Sequence, residues 1–169
     1  PISREGGLVL NNVLLTTACA TVLVGTLYPL ALEAVTGDKI SVGPPFFNLT
    51  FGPLMLPLLL ALPFGPFLAW KRGDIGGVAQ RLLFAAAIAL VAVVASYAAF
   101  QRGPWIAPFG IALGVFVMMG ALSEMGYRVK LGSSTREEVM RRLGNLPRSV
   151  IGTTLAHFGV GLMVVGIVA

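Results

Sequence analysis

Charge is scarce in this chain. Asp, Glu, Lys and Arg make up 11% of its 169 residues, against about 25% in an ordinary soluble domain. Only seven residues are acidic, and no pair of carboxylates lies deep within an apolar run. That weighs against proton relays and ion transport, which place ionisable groups inside the membrane. Cysteine is nearly absent. Cys19 is the only one, so an intrachain disulfide and a Cys/His zinc cluster are both excluded. Its place midway along an apolar run leads us to expect a buried, inert thiol. There is no phosphate-binding glycine loop, no serine nucleophile elbow and no paired-histidine zinc helix.

What is abundant is apolar sequence: 56% hydrophobic, with a mean hydropathy of +0.88. This composition is that of an integral membrane protein. A spanning helix needs roughly 20 mainly apolar residues. Five runs qualify, at about 8–32, 51–70, 82–100, 105–127 and 149–169. The expected fold is therefore an all-α, polytopic membrane helical bundle. The second run holds Pro53, Pro57, Pro63 and Pro66 and is expected to kink; membrane helices tolerate proline where neighbours satisfy the freed carbonyls.

The basic residues set an orientation. If the five runs alternate, Arg4, Lys71, Arg72, Arg81, Arg128, Lys130, Arg136, Arg141, Arg142 and Arg148 fall on one side. Only Lys39 and Arg102 of the twelve fall on the other. By the positive-inside rule the first side, with the N-terminus, is cytoplasmic. Residues 33–50 then form an external loop and 128–148 a cytoplasmic one. The basic pI is explained by this asymmetry, and no basic stripe interleaved with aromatics points to nucleic acid. Within the cytoplasmic loop, Ser134 or Thr135 is placed to cap a short helix. It has Glu137 and Glu138 in its first turn and Arg141 and Arg142 in its last, an order that suits the helix dipole. The chain opens without an initiator Met or a secretory signal, and it stops in an apolar run at Ala169. We expect a piece of a longer polypeptide.

His157 is the single histidine, set among Leu, Ala, Gly and Val in the last run. A neutral imidazole there can ligate a metal, and intramembrane ionisable side chains are functional candidates by default. At 3.6 residues per turn, Thr153, Thr154 and Gly161 share its face or flank it. Such small neighbours leave clearance for something flat, and equally let helices approach closely. A histidine bonded to another helix is the structural alternative. In the outer loop, Gly43-Pro44-Pro45-Phe46-Phe47-Asn48 reads either as a tight loop with aromatic anchors or as the lining of an external substrate surface. Asn11, Asn12 and Glu124 could bond to neighbouring helices or to a cofactor, and Glu124 could pair with Arg128 at i+4.

Several stretches taken in order resemble one family. They are Ser3-Arg4-Glu5-Gly6 with Asn11-Asn12, Gly25-Thr26-Leu27-Tyr28-Pro29-Leu30, Lys39 to Asn48, Pro53 to Leu58, Ala156-His157-Phe158-Gly159 and Val165-Gly166-Ile167. They resemble the latter half of the CcmF/NrfE haem lyases of cytochrome c maturation. The resemblance implies a multi-pass protein of the bacterial cytoplasmic (inner) membrane. Its implied partners are the haem chaperone CcmE, a CcmH-type apocytochrome-handling subunit, apocytochrome c and membrane lipid. In that family a tryptophan-rich external motif with two external histidines holds the haem to be transferred. A separate haem b is ligated by two transmembrane histidines. By its surroundings, His157 matches the second of these, as an axial ligand to iron. The motif and the other three histidines are absent from this chain. They would lie in a missing N-terminal part or a split-gene partner, and lyase activity belongs to the complete protein. The alternatives from other classes are a non-catalytic scaffold whose His157 is structural and, third, a transporter.

Overall fold

The computed structural model describes residues 3–70, 74–99 and 104–169. Among them the regular elements are all helical: α1 (Arg4–Thr36), α2 (Pro44–Ala61), a 3-10 segment (Leu62–Phe67), α3 (Ile75–Ala99), α4 (Ala107–Arg128), α5 (Arg136–Gly144) and α6 (Arg148–Val168). Five spans are long and apolar enough to cross a membrane: α1, α2 with the 3-10 segment, α3, α4 and α6.

The boundaries have local causes. Helix α1 opens at Ser3, whose hydroxyl accepts from the Gly6 amide at 3.2 Å, and closes at Gly37, whose φ of 76° is the left-handed cap favoured by glycine. At 33 residues it is about 50 Å long at 1.5 Å per residue, well beyond the bilayer's hydrocarbon core. The external loop expected over residues 33–50 is shorter in the structure. Pro44 and Pro45 occupy the first turn of α2, where a missing amide hydrogen costs nothing and a fixed φ helps. Phe46, Phe47 and Asn48 are therefore helical, and only Gly37–Gly43 connects the two spans. Helix α2 runs through Pro53 and Pro57 and then tightens into the 3-10 segment, which carries Pro63 and Pro66. Helix α3 begins at Ile75 rather than near Leu82, because the Asp74 carboxylate accepts from the Gly77 amide at 3.1 Å. Arg81 consequently lies inside a helix. Helix α5 matches the short helix expected within residues 128–148, capped by Thr135, which accepts from the Glu138 amide.

Helix α4 is the hub, packing on α3, α6, α2 and the 3-10 segment, whereas α1 packs on α2 and the 3-10 segment. The tightest contact is between α4 and α6. A Cβ placed on Gly114 would sit 2.7 Å from the Gly161 carbonyl oxygen, and one on Gly161 would sit 2.6 Å from that of Gly114. Two glycines facing each other let the backbones touch, as small residues do between membrane helices. Gly120 does the same for Pro63. Beside this seam Val78, Leu82 and Ala85 of α3 form a buried cluster with Phe64, Phe67, Phe116 and Met119 against it. On α1 only Ala18 and Gly25 are buried, two turns apart on one stripe. Cys19 is one position round from that stripe and is exposed, which corrects the expectation of a buried thiol.

Adjacent spans alternate in direction, so one end of the bundle collects the start of α1, the 3-10 segment, the start of α3, the end of α4 and the start of α6. The Arg4 amide donates to the Ala69 carbonyl at 3.0 Å and ties two of these together. Arg4, Arg81, Arg128, Lys130 and Arg148 all belong to this end. Lys39 sits at the other, 3.4 Å from Glu33. Lys71, Arg72 and Arg102 lie outside the described residues.

Candidate functional site

Helices α1 and α6 both flank the central α2/α4 packing, but α6 is held by α4 and α1 by α2. The space left between them is a cavity of about 1030 Å³ at the basic end of the bundle. Its wall is largely apolar, built from Leu8, Leu14, Leu58, Leu62, Leu68 and others. Its polar groups are few: Ser3, Arg4 and Asn11 from α1 and its cap, Glu124 and Arg128 from α4, and Ser149, Thr153 and His157 from α6. This volume lies at the upper end of small-molecule and cofactor sites, as does the mix of apolar wall and sparse polar groups.

His157 is half-buried on this cavity. Its position follows from two features of α6. The glycine contact at Gly161, one turn on, presses α6 against α4 and fixes the helix rotation. Thr153, one turn back, lines the same cavity and folds its hydroxyl onto the Ser149 carbonyl at 2.9 Å. That bond satisfies the hydroxyl within the helix. The other two small residues expected near His157 lie elsewhere. Thr154 is buried towards the packed side, donating to the Val150 carbonyl at 3.0 Å. Gly161 is covered by Gly114 and Met118. Its small size serves helix approach, and neither it nor Thr154 lines the cavity.

Glu124 is the buried charge of the site. Its side chain is 8% exposed and pairs with Arg128, one turn on, whose side chain is 42% exposed. A buried carboxylate needs such a partner, since an unpaired charge away from water is costly. The pair forms a wall common to the His157 cavity and to a second cavity between α3 and α4. Arg4 is a lining residue that the sequence did not single out. The available signal was its place on the same side as Arg128 in the charge alternation. Its guanidinium carbon is 5.9 Å from the centre of the Trp70 ring.

Gly43, Pro44, Pro45, Phe46, Phe47 and Asn48 cluster at the opposite end and none lines the His157 cavity. Phe46 and Phe47 pack edge to face at 5.3 Å. Both lie on Gly25, where a Cβ would come 2.7 Å from Phe46 and 3.1 Å from Phe47. The two rings therefore join α2 to α1. Among the described residues no group of three His, Cys, Asp or Glu side chains converges to hold a metal ion. His157 can offer one ligand to an iron already held in a macrocycle.

Comparison with known proteins adds identity to this geometry. The chain is 60% identical to the cytochrome c-type biogenesis protein CycK of Rhizobium meliloti, over 99% of the chain and 25% of that protein. It is 37% identical to the cytochrome c-type biogenesis protein CcmF of Pseudomonas aeruginosa, over 98% of the chain and 24% of that protein. It is also 41% identical to the cytochrome c-type biogenesis protein NrfE of Haemophilus influenzae, over 36% of the chain and 10% of that protein. No family model and no solved structure matches the chain. The chain thus spans about a quarter of the length of the first two relatives. On identity across nearly all of its residues, and with five helices fit to span a membrane, the chain belongs to the CcmF/CycK/NrfE family of cytochrome c-type biogenesis proteins.

Proposed function

We propose that this chain is the C-terminal portion of a membrane haem lyase of cytochrome c maturation, and that His157 supplies one axial ligand to a haem b held between α1, α4 and α6. The observation that carries the reading is the placement of the chain's one imidazole on a large, mainly apolar cavity. The residues fit such a group. The wall is apolar, as a porphyrin face requires, and Arg4 and Arg128 provide positive charge for carboxylates at the cavity's polar end. With a single histidine in the chain, any second imidazole for that haem would have to come from the rest of the protein. A haem with two imidazole ligands supplies one-electron chemistry whose potential follows from ligand identity and burial. The chain's own contribution is to orient the imidazole through α4–α6 contact, to exclude water with leucines and to hold charge at one end.

The complete protein acts, in this reading, in the bacterial cytoplasmic membrane, with haem delivered by CcmE and apocytochrome c presented by a CcmH-type subunit. The start of α2, from Gly43 to Asn48, then contributes to the outer surface. The scaffold alternative requires His157 to bond across helices. The α6 side-chain hydrogen bonds among the described residues are those of Thr153 and Thr154, both within the helix. The test is the pyridine haemochrome and reduced-minus-oxidised spectrum of the purified full-length protein. A b-type signal that is lost in His157→Ala supports the ligand assignment, and an unchanged spectrum overturns it.

A further inference from the structure

The second cavity, about 560 Å³ between α3 and α4, shares Pro66, Glu124 and Arg128 with the His157 cavity and is otherwise separate from it. It is lined by Arg81, Arg128 and Lys130, with Glu124, Tyr127 and Ser133, and rimmed by Pro66, Phe67 and Leu131. Arg128 is paired with Glu124, which leaves Arg81 and Lys130 as the lining cations with no carboxylate against them among the described residues. We propose that this cavity holds the phosphate of an acidic phospholipid.

Three independent features point there. The Arg81 guanidinium lies 4.3 Å from the centre of the Tyr127 ring. A guanidinium held against a ring by cation–π attraction still has N–H donors to offer an oxyanion, the chemistry by which arginine binds phosphate. The second feature is Lys130. Helix α4 ends with the Leu131 amide donating to the Gly126 carbonyl at 2.9 Å and the Lys130 amide to the Tyr127 carbonyl at 3.1 Å. This is a Schellman ending, whose left-handed position is normally glycine. Here it is Lys130, with a φ of 55°. Lys130 thus keeps a cationic side chain in a disfavoured backbone region where glycine would fit better, and that side chain lines the cavity. The third feature is place. The cavity opens where the basic ends of α3 and α4 meet, the side that the charge asymmetry assigns to the cytoplasm. There anionic headgroups attract cations near the surface. Leu131, 70% exposed, gives an apolar rim beside the charge, which suits an acyl chain and not a free ion. Cations at a helix C-terminus also complement its dipole. That accounts for Arg128 and Lys130, but not for Arg81, which comes from α3.

The test uses the full-length protein in dodecyl maltoside micelles, titrated with phosphatidylglycerol, phosphatidylcholine or inorganic phosphate. Lys130→Gly is the decisive variant, because glycine suits the left-handed position and the fold should be retained or strengthened. We expect phosphatidylglycerol to bind and phosphatidylcholine not to. Lys130→Gly and Arg81→Gln should each weaken that binding about fivefold, one charge's worth at a membrane surface. Arg81→Lys should bind between wild type and Arg81→Gln, and Arg141→Gln, on α5, should match wild type. Equal binding of the two lipids overturns the proposal, as does Lys130→Gly binding like wild type. Competition by inorganic phosphate at the same concentration as the lipid overturns the lipid assignment. Failure of wild type to bind at all, as when an acidic segment of the remaining protein fills the cavity, also overturns it.

Discussion

Gly161 and Gly159 lie two residues apart on α6, and the same substitution should have opposite effects at the two. At Gly161 a methyl group would meet the Gly114 carbonyl oxygen at 2.6 Å and Met118 Cγ at 2.5 Å. Ordinary contact begins at 3.4 Å, so α6 has to withdraw from α4 by roughly 0.8 Å along the whole seam, a typical overpacking change that costs about 1–3 kcal/mol. Met118 can rotate away; the carbonyl belongs to a helix backbone and cannot. At Gly159 nothing lies within 4 Å, and alanine there should stabilise α6 by about 0.5–1 kcal/mol through its better helix propensity. The assay is equilibrium unfolding of the full-length protein in mixed micelles with increasing SDS, followed by circular dichroism. Gly161→Ala should shift the midpoint down and Gly159→Ala should leave it level or raise it. Gly161→Ala should also disturb the environment of His157, one turn away, so any haem-dependent absorption should broaden or shift in that variant alone. Equal effects at the two positions would refute the claim that α4–α6 backbone contact sets the site.

Two further outcomes follow from local contacts. Arg128→Ala strands the Glu124 carboxylate, whose side chain is 8% exposed, and should cost about 1–3 kcal/mol, whereas Glu124→Gln keeps a neutral group of similar shape and should cost less; the same SDS titration orders the two. Thr135→Ala removes the cap of α5 and should cost that helix about 1 kcal/mol, seen as faster amide exchange at Arg136 to Val139 with α4 and α6 unaffected.

The spans were legible in the sequence because bilayer thickness dictates the length of an apolar run. Their ends were less so. Gly43-Pro44-Pro45 carries a breaker's composition, yet proline at a helix start is favourable, so α2 begins seven residues earlier than the apolar run at Phe51 suggested. Arg81 reads as loop by charge, but Asp74 caps the turn before it and long cationic side chains can snorkel from a helix end. Cys19 was misplaced because a run apolar on every side carries no signal for which side is packed. His157 stood out as the lone histidine, and its i−4 neighbour Thr153 followed from helical periodicity. The other wall of the cavity did not. Asn11 was a candidate by its polarity in an apolar run, but Arg4 was not, and both reach the cavity only because α1 stands off from α6, a tertiary fact that no local pattern encodes. Gly161 illustrates the limit of composition: a glycine beside a histidine can mean clearance or contact, and here it makes contact.

The most direct measurement is ligand replacement at His157 in the full-length protein. His157→Gly should remove the low-spin b-type absorption and leave a vacancy lined by the same leucines. Added imidazole should then enter and restore the low-spin spectrum in a saturable way, while wild type stays unchanged by it. A glycine variant that keeps the wild-type spectrum without imidazole would contradict the assignment of His157 as an axial ligand.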